Sequence, residues 1–227
     1  LIPDSLTRKH ERIDGAIYGE YAFSGETIRV FDSAGTALRV FDLFADKDMD
    51  GEDKVAELIG LIFPDWEDVL AAHMHDLDEL LISVCWDAYG IDISLDKRYK
   101  IESGEPAFDW NEDAGRIKAS LLAYYGREWV DIANDCTYAQ VCDLLKGMIE
   151  GGAETPFGRA IYYRTAKPPE RTKHNKKEVE NFRKLREYFA LGKKAGTIED
   201  RAEAVNDMFA SVFAAERVKH ERKHSNN

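Results

Sequence analysis

The sequence predicts a mainly α fold, a helical bundle-like domain with a small extended or β N-terminal piece. Three observations carry that expectation. Apolar residues recur at three- and four-residue spacings along most of the chain, and several of these stripes begin with a capping-box spacing and stop at a glycine. The opening segment is different: from Arg12 to Phe23, Ile13, Ile17, Tyr18 and Tyr21 surround Gly15 and Gly19, as a short hairpin or extended arm would.

In chain order, Ile28, Val30 and Phe31 suggest a further extended piece, and Ser33 can cap a helix with Ala37, Leu38, Phe41 and Phe44 on its apolar face. A second helix runs from about Asp53 through Ile62, burying Val55, Leu58, Ile59 and Ile62, and Pro64 ends it. Asp65 begins a short helix with Trp66, Val69 and Leu70 apolar, closing near His73 and His75. Asp76 and Glu79 have capping-box spacing before Leu80, Leu81, Val84, Cys85 and Tyr89, a core helix stopped by Gly90. Residues 91–107 read as a connection with a strand at Arg98–Ile101.

Phe108 to Ile149 is the organising stretch. Asp109 and Glu112 open a helix with Trp110, Ala114, Ile117, Leu121 and Tyr124 on one face, and Gly126 stops it. Thr137 and Gln140 open another, with Val141, Leu144, Leu145, Met148 and Ile149 as its stripe. Trp129, Val130 and Ile132 between them are too apolar for a free loop and are expected to plug the space between the helices. Pro156 then starts a short helix, PFGRAIYYR; KPPERTK (167–173) is a linker, because its prolines cannot continue a helix; and Asn175 caps a helix to Leu191.

Composition bounds the function. The chain has 227 residues and a net charge of −12, unevenly spread: residues 1–152 hold 14 Lys and Arg against 32 Asp and Glu, and the rest holds 17 against 11. An acidic body repels nucleic acid and anionic lipid, so neither is an expected partner. It suits a chain that stays dissolved beside a sticky partner, and the asymmetry lets the acidic part of one copy attract the basic part of another, head to tail, in a homo-oligomer. Cys85, Cys136 and Cys142 form no C-x-x-C pair and read as buried small hydrophobes in a reducing interior. LIPDSLTRKHER does not read as a secretory signal, and no apolar run approaches the roughly 20 residues of a membrane span.

Several motifs carry potential chemistry. DKDMDGEDKVAE fits the calcium-loop pattern: Asp46, Asp48, Asp50 and Glu57 would supply side-chain oxygens, Glu52 a carbonyl, and Gly51 the sharp turn. Asp53 stands where such loops place an aliphatic residue and no second loop exists, so an acidic solvated turn is the expectation and a calcium-responsive binding module the alternative. HERKH (His220–His224) spells H-E-x-x-H, but only Ser225, Asn226 and Asn227 follow, leaving no third ligand. HMHD (His73–Asp76) is a single short cluster, of the kind usually found at a surface. Residues 164–194 hold 11 basic against 4 acidic residues, with Phe182, Tyr188 and Phe189 interleaved. The i,i+4 pairs Glu180 with Lys184 and Arg183 with Glu187 favour a solvated helix face over a nucleic-acid surface. No residue is assigned a catalytic, cofactor-binding or metal-ligating role, and no enzyme is expected.

The unit FDWNEDAGRIKASLLAYYG (108–126), an aromatic-Asp-aromatic turn, an acid, Asp-Ala, an aliphatic run and Tyr-Gly, resembles the central signature of the gene-product-fifteen family of bacteriophage tail proteins. The likeness runs from about Ile13 to about Leu191. It implies a helical tail-assembly domain over 1–191, with 192–227 as a C-terminal amphipathic helix and charged tail. The family's genes lie among those of tail morphogenesis, near the tape-measure gene. The resemblance therefore implies a non-enzymatic, chaperone-like factor that binds the tape-measure or tail-tube protein in the host bacterial cytoplasm. The alternative is a structural tail component retained in the virion.

Thr197 to Lys219 extends past that likeness, with Ile198, Ala202, Val205, Phe209, Val212 and Phe213 as a continuous stripe. If this helix serves a partner, deletion after Lys194 should leave a folded, dissolved body that has lost self-association or tail assembly. Circular dichroism and expression of the truncated chain check this; a chain that unfolds or precipitates would place the stripe in the protein's own core.

Overall fold

The computed structural model describes residues 9–91, 93, 107–152 and 154–192. The expected strand at Arg98–Ile101, the C-terminal helix and the His220–His224 motif lie outside them. The described elements are β1 (His10–Ile13), β2 (Ala16–Phe23), β3 (Glu26–Phe31), α1 (Ala34–Ala45), α2 (Gly51–Ile62), α3 (Trp66–His73), α4 (Leu77–Tyr89), α5 (Ala114–Tyr125), α6 (Trp129–Asp135), α7 (Tyr138–Glu150), α8 (Pro156–Thr165) and α9 (Lys176–Phe189). The fold is mainly α with a small antiparallel sheet at the N-terminus, ordered β1-β2-β3. The chain divides into two compact units, residues 1–105 with 115–158, and residues 106–114 with 159–227.

In the first unit the sheet is a meander. Asp14-Gly15 and Ser24-Gly25 both take positive φ at both positions, the mirror-image turn whose twist matches that of the strands it joins. Strand alternation sends Ile17 and Tyr21 of β2 and Ile28 and Val30 of β3 to one buried face, which α4 and α6 cover. On the other face Tyr18 lies against its register partner Phe31, ring centres 4.9 Å apart.

Helix α1 is capped as its sequence implies, Ser33 Oγ accepting from Thr36 N at 3.1 Å. Its buried face is different: Ala34, Ala37, Val40 and Leu43 are inside, Leu38 and Phe41 half-buried, and Phe44 exposed. Small residues win because α2, α6 and α7 all pack on α1, and Gly35 lets it approach Ala133 of α6, where a Cβ would meet a carbonyl oxygen at 3.3 Å. Ala34 N donates to Cys136 O (2.8 Å), closing the joint. In α2, Leu58, Ile59 and Ile62 are buried, but Val55 is exposed. Helix α4 buries all five expected residues, Leu80, Leu81, Val84, Cys85 and Tyr89. Asp76 makes no side-chain cap on it; its carboxylate turns back to His73 Nδ1 at 3.3 Å.

The connection between α5 and α7 is not a loop but the helix α6. Ile132 is its plug, fully buried, whereas Trp129 is half-buried and Val130 exposed, since so short a helix can turn only part of its apolar surface inward. Thr137 and Gln140 complete a full capping box on α7. Val141, Leu145 and Met148 are buried there, Leu144 is half-buried and Ile149 exposed. On α5, Ile117, Ser120 and Leu121 face inward; Tyr124 is exposed, and Tyr125 instead reaches α7 through its hydroxyl to Leu144 O (2.8 Å). Ser120 Oγ accepts from Phe157 N at 2.9 Å, satisfying an amide at the start of α8.

In the second unit, Asp109 Oδ1 accepts from the amides of Asn111 and Glu112, both at 2.8 Å. Asp109 N in turn donates to Asp113 Oδ2 (3.2 Å) and not to Glu112, whose carboxylate accepts from Gly192 N. Asp113 is fully buried, paired with Arg164 of α8: Nη1 lies 2.6 Å from Oδ2 and Nη2 2.9 Å from Oδ1. Arg164 also donates to Ala107 O (3.0 Å) and, through Nε, to Phe189 O at the end of α9. Arg164, counted in the sequence as the first residue of a basic surface run, is a core residue. Around it Tyr163 stacks on Phe189 and meets Phe182 edge-on, with Val179, Phe182 and Phe189 forming the buried face of α9. Asn175 does not cap α9 with its side chain; it closes the preceding loop, accepting from Thr172 N and donating to Glu170 O.

Two predictions follow from these cores. Arg164→Ala strands a buried carboxylate and should cost about 3–5 kcal/mol, whereas Asp113→Leu combined with Arg164→Met should cost far less. Urea unfolding measures both, and an Arg164→Ala chain as resistant as wild type would remove the pair from its structural role. Burial pushes the Cys85 thiol from 9.0 up to about 12, and burial, then Asp32 and Cys85, raise Tyr89 well above its usual 10.0. The folded chain therefore holds protons that the unfolded chain releases, so the unfolded state binds fewer protons and stability falls as pH rises from 9.0 toward about 12. Unfolding midpoints across that window should drop, and Cys85→Ala should remove the thiol's share of the slope.

Candidate functional site

The first unit contains an open cleft of about 660 Å³. The β1–β2 turn, the end of β3 and helices α1, α2 and α6 each contribute to its wall. Its less exposed lining is mixed, with Ile17 buried and Phe31, Ser33, Thr36 and Leu61 half-buried. Asp14, Arg39, Glu57 and Asn134 are its exposed polar residues, and Gly15, Ala56 and Gly60 are exposed beside them. Arg12 of β1 and Arg127 converge on Asp135, at 2.5 and 2.7 Å, and fix the α6 side of this arrangement next to Asn134.

Helix α2 meets the cleft through Ala56 and Gly60, one turn apart and both exposed. Gly60 is unusual. A glycine inside a helix costs about 0.5–1 kcal/mol relative to alanine. No close approach by a neighbour requires it, because a Cβ built there meets nothing within 4 Å. The missing side chain leaves open space in the cleft.

The calcium-loop residues are distributed otherwise than that pattern needs. Asp46 Oδ1 accepts from Asp48 N (2.8 Å), and Asp50 caps α2 through Asp53 N (2.9 Å). The helix therefore starts at Gly51, and Glu57 is carried a turn and a half along it, to the cleft. Lys54 Nζ donates to the carbonyls of Phe44 and Asp46, so an ammonium holds the corner between α1 and α2. Among the described residues, no three His, Cys, Asp or Glu side chains gather at a metal-sized site.

The HMHD cluster also resolves into separate roles. His73 is buried, edge-on to Phe23, with Asp76 at Nδ1 and Glu26 Oε2 3.6 Å from Nε2, while Met74 and His75 are exposed. It fastens the β2–β3 turn to the α3–α4 corner. A buried polar group that the sequence did not reveal is Asp32. Its Oδ2 accepts from His10 Nε2 and Tyr21 Oη, both at 2.8 Å, and a side chain at Gly19 would come within 2.6 Å of that oxygen. Gly19 is thus the notch that admits the carboxylate, and with Tyr89 donating to Phe31 O it anchors the end of the sheet to α4. In the second unit the remaining basic residues of α9, Lys176, Lys177, Arg183, Lys184 and Arg186, are exposed, and Lys184 lies 3.9 Å from Glu180 as its spacing implies.

Among the described residues, no helix is long and apolar enough to cross a membrane. No curated protein and no solved structure is significantly similar to the chain. The family model described as Bacteriophage Gp15 protein matches residues 15–191, from the first hairpin turn to just past α9, in agreement with the likeness seen in the 108–126 signature. That span takes in every helix described here and makes this a bacteriophage protein; the chain belongs to the Bacteriophage Gp15 protein family.

Proposed function

We propose that this protein is a non-enzymatic assembly factor of a long phage tail, acting in the host cytoplasm, where it binds the tape-measure or tail-tube protein before polymerisation. The family match over residues 15–191 is the observation that carries this reading. Two features support it. The first 152 residues are strongly acidic, which keeps a carrier dissolved while it covers apolar segments of another chain. The exposed basic face of α9 also offers a copy-to-copy contact with that acidic surface, so that several copies could line a long partner.

Co-expression tests the reading. The tape-measure protein of the same phage should be recovered in the supernatant with this protein present and in the pellet without it, and mass spectrometry of purified particles should find little or none of this chain. A stoichiometric presence in virions would instead make it a structural tail component.

A further inference from the structure

We infer that His73 is a proton-operated clasp: charged, it fastens the β2–β3 turn to the α3–α4 corner, and neutral, it lets the turn go. The clasp is independent of the assembly reading. The ring is buried at the last position of α3, and its two nitrogens face carboxylates on different elements. Asp76 Oδ1, just before α4, lies 3.3 Å from Nδ1, and Glu26 Oε2, at the first position of β3, lies 3.6 Å from Nε2. Phe23, at the end of β2, meets the ring edge-on and brings no charge. Among the described residues, Glu26 and Asp76 are the charged groups within ion-pair reach of the ring.

A neutral imidazole carries one proton, and here either tautomer leaves a bare nitrogen facing a carboxylate. With the proton on Nδ1, where it donates to Asp76, Nε2 is shut off from solvent and has no hydrogen-bond partner. Its lone pair then points at Glu26, a repulsive pairing that a second proton turns into an attractive one. Burial opposes the charged ring, but only the charged ring satisfies both nitrogens, and it stands between two opposite charges. Glu26 is the part that moves. Its side chain is 66% exposed and turns out to water when the ring is neutral, whereas Asp76, 35% exposed, keeps its bond to Nδ1. Release is confined to the turn, because Arg29 Nη2 lies 3.4 Å from Asp65 Oδ2 and ties β3 to the start of α3 with a pair that contains no histidine. His10 pairs with Asp32 beyond the opposite end of β3.

The folded chain thus holds a proton at His73 that the unfolded chain releases as the pH rises through about 6.5, so the clasp is present in full below that value and is lost as the pH rises past it. Glu26→Gln tests this, because an amide can donate to a bare Nε2 but not to a protonated one. Thermal midpoints of the full chain and of the variant are compared at about pH 6 and about pH 8, both above the range in which carboxylates ordinarily titrate. The variant should melt below wild type at the lower pH, and at the higher pH the order should level or reverse. Nitrogen-15 spectra of the wild-type His73 ring should show two protonated nitrogens at the lower pH and one at the higher. A midpoint gap that is as wide or wider at the higher pH, or a ring that keeps one protonation state across the range, overturns the clasp.

Discussion

The second unit depends on a single guanidinium. Arg164 is nearly inaccessible, and its charge is met by an equally buried carboxylate in bidentate geometry, with two carbonyl oxygens taking further donors. A lysine could not substitute, because one ammonium cannot serve both Asp113 oxygens and two carbonyls in different directions. The pair joins the 107–113 segment, α8 and the end of α9, elements far apart in sequence, and the aromatic cluster of Tyr163, Phe182 and Phe189 packs beside it. It also gives a physical meaning to the 108–126 signature. Asp109 turns the chain, Phe108 and Trp110 meet edge-on, and the Asp of Asp-Ala receives the arginine. What reads as a capping sequence is half a cap and half an ion-pair socket.

Much of the fold was legible because local chemistry determined it. The Thr137–Gln140 box, the Ser33 cap and the buried face of α4 depend on residues within a turn or two of one another, and each stands where the sequence places it; the extended N-terminal stretch, read as a hairpin or an arm, is a hairpin that turns at Asp14-Gly15. Errors arose where distant packing chose between near-equal alternatives. On α1 two apolar stripes overlap; the larger side chains favoured one, but close approach of three other helices selected the stripe of Ala34, Ala37, Val40 and Leu43. Asp76 and Asn175 have capping identities and other employment, with His73 and a preceding loop respectively.

The candidate site was almost illegible. Arg39 and Asn134 are ordinary surface residues in sequence and Glu57 was read only as part of the calcium-loop pattern; only the fold brings the three around one cleft. Gly60 carries no signal of its own, since a helix glycine acquires meaning only when its surroundings are seen to be empty. Asp32 and Asp113 were hidden for a related reason: a buried carboxylate looks like a solvated one until its partner, Tyr21 or Arg164, is located. The strongest local motif, the calcium loop, is ambiguous by its nature, because Asp residues that punctuate a helix start also satisfy a ligand spacing.

The seclusion of Asp113 and Arg164 has a practical consequence. Charges in water are screened over about 8 Å at physiological ionic strength, and added salt shortens that range, but a pair closed off from solvent is screened much less. The exposed lysines and arginines of α9 and the acids around the cleft are open to ions; the pair at the heart of the second unit is not. Raising the ionic strength therefore loosens whatever the surface charges hold together while leaving this unit intact, so association and folding, both partly electrostatic here, can be pulled apart with salt alone.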